Sequence, residues 1–229
     1  MTNSASASRG AFLDALDKLH ERFLVDVPGV TEVWLVRHGD AYDELMSDDD
    51  AGVAPGRRID PPLSPRGREQ AGRLGRRLAR STVAGLYASN LQRAQETARL
   101  AAAQFREPPG VFSDPRLREV KTRWDDGAVV DEPEDEPARY IPFVEPFEEV
   151  VARMQSAVND IAATAGPGRR VALVSHAGAI TMYLSHVLGL DFGHLRMLLG
   201  FTSVSVVRIK DGMVVVGSIG DTGHLLSEA

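Results

Sequence analysis

Residues 33–40 read VWLVRHGD. Val33 to Val36 are strand material suited to burial, yet they run straight into an arginine, a histidine and a glycine. Residues 171–178, VALVSHAG, repeat the design. In open α/β sheets, ligands bind in the crevice outside the carboxyl ends of the strands. His38 and His176 are therefore expected to face one site although far apart in sequence. Gly39 and Gly178 are expected to permit tight turns and a close approach of backbone N–H groups to a ligand.

Working outward, the strand around Glu32–Val36 is followed by a polar, Asp/Gly/Pro-rich loop from Asp40 to Pro62. SPRGREQAGRLGRRLA then reads as a helix, with Ser64 as N-cap and Pro65 at its first position. A short strand is expected over Gly85–Ala88 and helices over Leu91–Phe105, Pro146–Ala165 and Gly178–Leu188. Between the last two lies the apolar strand Arg170–Val174. SVSVVRI and MVVVGSI flank Lys-Asp-Gly as a hairpin. Strands alternating with helices argue for an α/β fold: a three-layer, doubly wound, mostly parallel sheet with helices on both faces and an antiparallel pair at its C-terminal end. DDGAVVDEPEDEP, residues 125–137, reads as an acidic, solvated excursion.

Residues 1–30 stand ahead of this domain, which takes up residues 31–229. The first ten or so read as a disordered tail. Phe12, Leu13, Leu16, Leu19, Phe23 and Leu24 then recur at helical spacing. That amphipathic helix is suited to pack on the outside of the domain or to form a homodimer contact, and the sequence does not choose.

The chain of 229 residues has 43% hydrophobic and 25% charged residues, as ordinary globular domains do. Its net charge of −6 supplies no chain-wide basic field for nucleic acid. With no cysteine, disulfides, thiolate nucleophiles and zinc–sulfur sites are excluded. No apolar run approaches the roughly 18 residues of a membrane span, and the N-terminal segment is too charged for a signal-peptide core. The expected location is the cytoplasm, with neither a membrane nor a nucleic acid as partner.

LYASNLQRAQETA, residues 86–98, puts Arg93 on the first turn of a helix that follows a short strand. Arg37, Arg93 and two histidines around one crevice would form a pocket for a phosphoryl group, which the arginine fork binds with paired hydrogen bonds. A helix starting near Ala177 would add backbone N–H groups aimed at the same anion.

RHG after a strand, LSPRGREQA, YASNLQRAQETA and VSHAG, in this order, resemble the histidine phosphatase superfamily, the phosphoglycerate mutase-like fold, over roughly residues 32 to 220. The resemblance implies that His38 is the phosphorylated histidine. Arg37 and Arg93 would be phosphate-binding arginines, and His176, with Ala177 behind it, the second side of the pocket. The acid expected in a mid-chain segment matches Glu119 in RLREV, with Asp125 and Asp126 as alternatives. No metal or cofactor is implied. The chain departs from the family after RHG, where Asp40 and Ala41 replace the usual Glu and Thr and Glu44 stands in the column of a phosphate-contacting Asn.

What the resemblance implies is a phosphomonoesterase acting on a small phosphorylated metabolite. Phosphoglycerate mutase activity and a non-catalytic ligand-binding relative are the alternatives, and DDGAVVDEPEDEP does not resemble the mutases' lid segment. Arg57 and Arg58, in the long loop, are candidate contacts for an anionic substrate.

Overall fold

The computed structural model describes residues 2–42, 60–122, 144–190, 197 and 199–226, with side chains from Phe12 onward. Among these residues six strands form one sheet: β1 (Thr31–Arg37), β2 (Leu86–Ala88), β3 (Val111–Ser113), β4 (Arg170–Ser175), β5 (Val204–Lys210) and β6 (Met213–Asp221). Their order is β3-β2-β4-β1-β5-β6. β1 pairs in parallel with β4, Leu35 opposite Leu173, and β2 pairs in parallel with β4 and β3. β5 runs antiparallel to β1 and to β6. The β5–β6 hairpin turns at Asp211 and Gly212, whose φ values of 50° and 80° are those of a type I′ connection.

Alternation along β1 decides the layers. Val33 and Leu35 face one side with Leu173, packed by Val150, Met154 and Val158 of helix α4 (Phe147–Ala165) and by Ile180 and Leu184 of α5 (Ala177–Val187). Trp34 and Val36 face the other side, under Leu74 and Leu78 of α2 (Pro65–Ala79) and the alanines of α3 (Gln92–Ala102). Burial on both faces explains why β1 and β4 read as unbroken apolar runs rather than alternating ones. Each fully buried leucine contributes roughly 1.5–3 kcal/mol relative to exposure. The expected three-layer α/β fold is the observed one.

The helix following β1 covers one face and the helix following β4 the other. The gap between these adjacent strand ends is therefore a topological switch point, where the two connections diverge and leave a crevice. Helix α2 begins as its sequence dictates: Pro65 sits in the first turn and the Ser64 hydroxyl accepts from the Gly67 N–H at 3.0 Å.

Two expectations need correction. Residues read as an N-terminal tail are helical, since α1 runs from Thr2 to Phe23; Ala5, Ala7 and Ala11 are strong helix formers, and no proline interrupts them. Strand β3 was not expected, because VFS is too short to show a period and lies at the sheet edge with Phe112 exposed. The acidic stretch 125–137 and most of the Asp40–Pro62 loop lie outside the described residues.

Candidate active site

The carboxyl end of β1 is fixed from both sides. The Arg37 N–H donates to the Ser203 carbonyl at 3.1 Å and the His38 N–H to the Ser175 carbonyl at 2.9 Å. Beyond them, the Gly39 N–H bonds the Thr97 hydroxyl at 3.0 Å and the Asp40 N–H bonds Gln70 at 2.8 Å. Side chains from α3 and α2 thus steer the chain away from the strand. Gly39 does not have a positive φ. It is glycine because a Cβ there would lie 2.6 Å from the Gly67 carbonyl oxygen, and the reverse substitution would drive a Cβ into the Asp40 carbonyl. The expectation of a tight turn is replaced by backbone-to-backbone packing against the start of α2. Asp40, where the chain leaves the family pattern, accepts from the Ser64 hydroxyl at 2.7 Å. Its carboxylate supports the helix cap.

His38 is buried, and its Nδ1 lies 2.7 Å from the Gly39 carbonyl oxygen. A carbonyl only accepts, so Nδ1 carries the proton and Nε2 keeps a lone pair. Arg93 donates to that lone pair from Nε at 3.3 Å. Burial, then the Arg93 cation, hold the His38 imidazolium well below the ordinary histidine range. His176 caps α5 and packs its ring 5.0 Å from that of His38. It is fully buried, and neither ring nitrogen has a hydrogen-bond partner among the described residues. Burial first, then Arg93 and His38, push its pKa well down too. Both rings are neutral near neutral pH: one with a lone pair to give, the other with an N–H to donate.

The Arg37 guanidinium bonds the Leu199 carbonyl at 2.5 Å and lies 3.9 Å over the Phe201 ring, while its buried Nε has no partner among the described residues. Arg93 also reaches Asp60 at 3.4 Å, and both Asp60 oxygens accept from the Gln92 N–H at the start of α3. Two cations, two neutral imidazoles and unsatisfied buried nitrogen donors converge outside the ends of β1 and β4, an arrangement suited to a tetrahedral oxyanion.

Glu119 joins from the far side. Its Oε1 accepts from the N–H groups of Val120 at 2.9 Å and Ala179 at 3.0 Å, and Oε2 from Gly178 at 3.3 Å. The first turn of α5, expected to present its N–H groups to a phosphoryl ligand, gives two of them to this carboxylate. Gly178 also lacks a positive φ, and a Cβ on it would sit 2.8 Å from Glu119 Oε1. The backbone around Glu119 is clamped by Arg153, which bonds the carbonyls of Arg116 and Arg118, both at 2.7 Å, and of Glu119 at 3.2 Å. The Ser175 hydroxyl adds a bond to the Leu117 carbonyl at 2.7 Å. Glu119 is near enough to Arg37 for its charge to act on that guanidinium.

Of the expected site residues, Arg37, His38, Arg93, Glu119, His176 and Ala177 come together at one crevice. Arg57, with Arg58, Glu44, Asp125 and Asp126, lies outside the described residues. Asp60, Arg153 and the Leu199–Ser203 segment were missed. Asp60 and Arg153 act mainly on backbone groups, and LGFTS contributes mostly backbone contacts, which leave no side-chain signature in a sequence.

The sequence model of the histidine phosphatase superfamily (branch 1) matches residues 33–222. The serine/threonine-protein phosphatase Pgam5, mitochondrial, of Caenorhabditis elegans is 32% identical over 171 residues; the match takes in 71% of this chain and 57% of that protein, less than two thirds of its length. The probable phosphoglycerate mutase GpmB of Enterobacter sp. (strain 638) is 30% identical over 216 residues, covering 85% of this chain and 94% of that one. Among solved structures, Bacillus stearothermophilus YhfR superposes with a TM-score of 0.67 at 26% identity, covering 85% of this chain and 98% of that one.

Proposed function

The chain belongs to the histidine phosphatase superfamily, and from that membership we propose that it is a phosphomonoesterase working through a phosphohistidine on a small phosphorylated metabolite in the cytoplasm. One observation carries the reading. His38 donates Nδ1–H to its neighbour's carbonyl and turns an unprotonated Nε2 toward Arg93 in a buried, cationic pocket.

In the first step the Nε2 lone pair attacks phosphorus in line with the ester oxygen. The N–P bond forms, the P–O bond breaks, and the leaving alkoxide takes a proton from Glu119 in its acid form. In the second step the Glu119 carboxylate removes a proton from water as water attacks phosphorus. The N–P bond then breaks and its electron pair returns to Nε2, releasing inorganic phosphate. Arg37 and Arg93 balance the charge on the equatorial oxygens, and neutral His176 donates to one of them. The chemistry asks for no metal, and among the described residues no cluster of His, Asp and Glu is arranged to hold one.

The test is turnover of p-nitrophenyl phosphate and a panel of phosphorylated metabolites, with a phosphoserine peptide included, by wild type and His38→Ala. Acid-labile phosphate trapped on the wild type and absent from the variant is the expected result; a His38→Ala protein as active as wild type would overturn it. A mutase is the second reading, favoured by the resemblance to the Enterobacter protein across 85% of this chain and 94% of that one. It predicts that enzyme primed with 2,3-bisphosphoglycerate interconverts the two phosphoglycerates faster than it releases phosphate.

A further inference from the structure

Behind the crevice, the segment Leu199–Ser203 touches both halves of the phosphoryl pocket. Leu199 and Phe201 hold the Arg37 guanidinium, and the Thr202 N–H donates to the His38 carbonyl at 3.2 Å. Thr202 is fully buried and has a φ of 54°, a conformation a β-branched residue resists. Something must hold it there.

The restraint comes from the C-terminal turn Gly223–Leu225, which follows β6. His224 lies between Arg77 and Thr202: Arg77 Nη1 is 3.3 Å from Nδ1, and the Thr202 hydroxyl is 3.1 Å from Nε2. A guanidinium only donates, so Nδ1 is the acceptor; the neutral ring then carries its proton on Nε2 and donates to Thr202. Burial and the neighbouring Arg77 bring the His224 pKa down to about 4, which keeps this single tautomer near neutral pH. The turn is itself tied to α2. Arg77 bonds the Asp221 carboxylate at 2.7 Å and Arg73 bonds the Leu225 carbonyl at 3.0 Å.

We infer that His224 is a positioning residue for phosphoryl transfer: through Thr202 it fixes the Leu199–Ser203 segment, and with it the placement of His38 and Arg37. The inference rests on the phosphatase reading, since the segment acts on the proposed nucleophile and the proposed phosphate clamp. His224 touches none of the reacting atoms, so its influence falls on geometry, and misplacement of about 1 Å costs on the order of a hundredfold in rate.

Three variants test it. His224→Leu removes both hydrogen bonds while keeping apolar bulk, Thr202→Val keeps the branched shape but removes the hydroxyl, and His224→Gln restores one acceptor and one donor. On p-nitrophenyl phosphate, kcat is expected to fall at least about tenfold in the Leu and Val variants with KM changed less than about threefold, and to recover most of the loss in the Gln variant. The Thr202 amide should exchange with deuterium at least about tenfold faster in His224→Leu, while the Val36 and Leu173 amides keep their protection. Unchanged kcat, a loss that glutamine does not restore, or a loss with the Thr202 amide still protected each overturns the inference. If the wild type turns over no phosphomonoester, the phosphatase reading is what fails. Orthovanadate affinity then decides the positioning role: about tenfold weaker in His224→Leu and regained in His224→Gln supports it, and equal affinity in all three overturns it.

Discussion

Arg93 donates from Nε to Nε2 of His38 across 3.3 Å, so the cation proposed to hold the phosphoryl group would also guard the lone pair that attacks it. Burial is the larger cause of the depressed histidine pKa and Arg93 the next. In Arg93→Met the pKa of His38 should rise while staying below the ordinary value. The acid limb of kcat/KM then moves to higher pH. The loss of one clamp should lower kcat/KM by about 10²–10³ at its plateau. PH–rate profiles of both proteins check both effects, and a profile lowered without displacement would leave the lone pair unguarded by Arg93.

Glu119 is held by three backbone N–H groups on the side of the crevice opposite α2. If it supplies the leaving-group proton, its removal must hurt poor leaving groups most. Glu119→Gln should lower kcat by about 10²–10⁴ on an alkyl phosphate and far less on p-nitrophenyl phosphate, whose phenolate departs unaided. Equal losses on the two substrates would assign Glu119 a supporting role only.

Two glycines at the site should fail in different ways. In Gly178→Ala the new methyl meets side chains: the end of Glu119, which can swing aside, and Val120 Cγ2 at 3.1 Å, which must give by a few tenths of an ångström. The midpoint of thermal unfolding should move little while kcat falls with the displaced carboxylate. In Gly67→Ala the methyl meets the Asp40 backbone, which cannot yield without moving the start of α2. A loss of roughly 3 kcal/mol or more is expected there. Denaturant unfolding of both variants, beside kcat, separates them.

Much of the fold was legible because its strands are buried on both faces. VWLV and VALV are read as strands from apolar content alone, and the histidine that follows each, with a glycine just beyond it, marks the crevice. Ser64, Pro65 and the Asp211-Gly212 turn were legible because capping and turn chemistry are local. The rest of the site was not, because it is built from backbone. Leu199, Phe201 and Thr202 work largely through carbonyls, an N–H and a ring face, and Arg153 through three carbonyl oxygens. Gly39 and Gly178 were read as turn-permitting residues, but neither has a positive φ, and the atoms they make room for come from distant segments.

Two neutral histidines buried side by side should make the fold acid-sensitive before its carboxylates titrate. His38 and His176 have folded-state pKa values well below 6.5, and in the unfolded chain each protonates near its ordinary value. As pH falls through that value the unfolded state binds more protons than the folded one, so stability present above it is lost. The perturbed carboxylates Glu32, Asp114, Glu145 and Asp221 have folded pKa values below their ordinary ones of 4.5 or 3.8, so their contribution is lost only at lower pH. Between about pH 7.5 and 5.5 the two buried rings should together cost up to about 3 kcal/mol of unfolding free energy, the linkage limit for two histidines that stay neutral in the fold. The more exposed His224 adds a smaller, solvent-screened share. Urea unfolding across that range measures the slope. His176→Asn, which keeps a polar side chain of smaller size without a titrating ring, should remove close to half of it. A slope unchanged in that variant would mean that the acid sensitivity arises elsewhere in the chain.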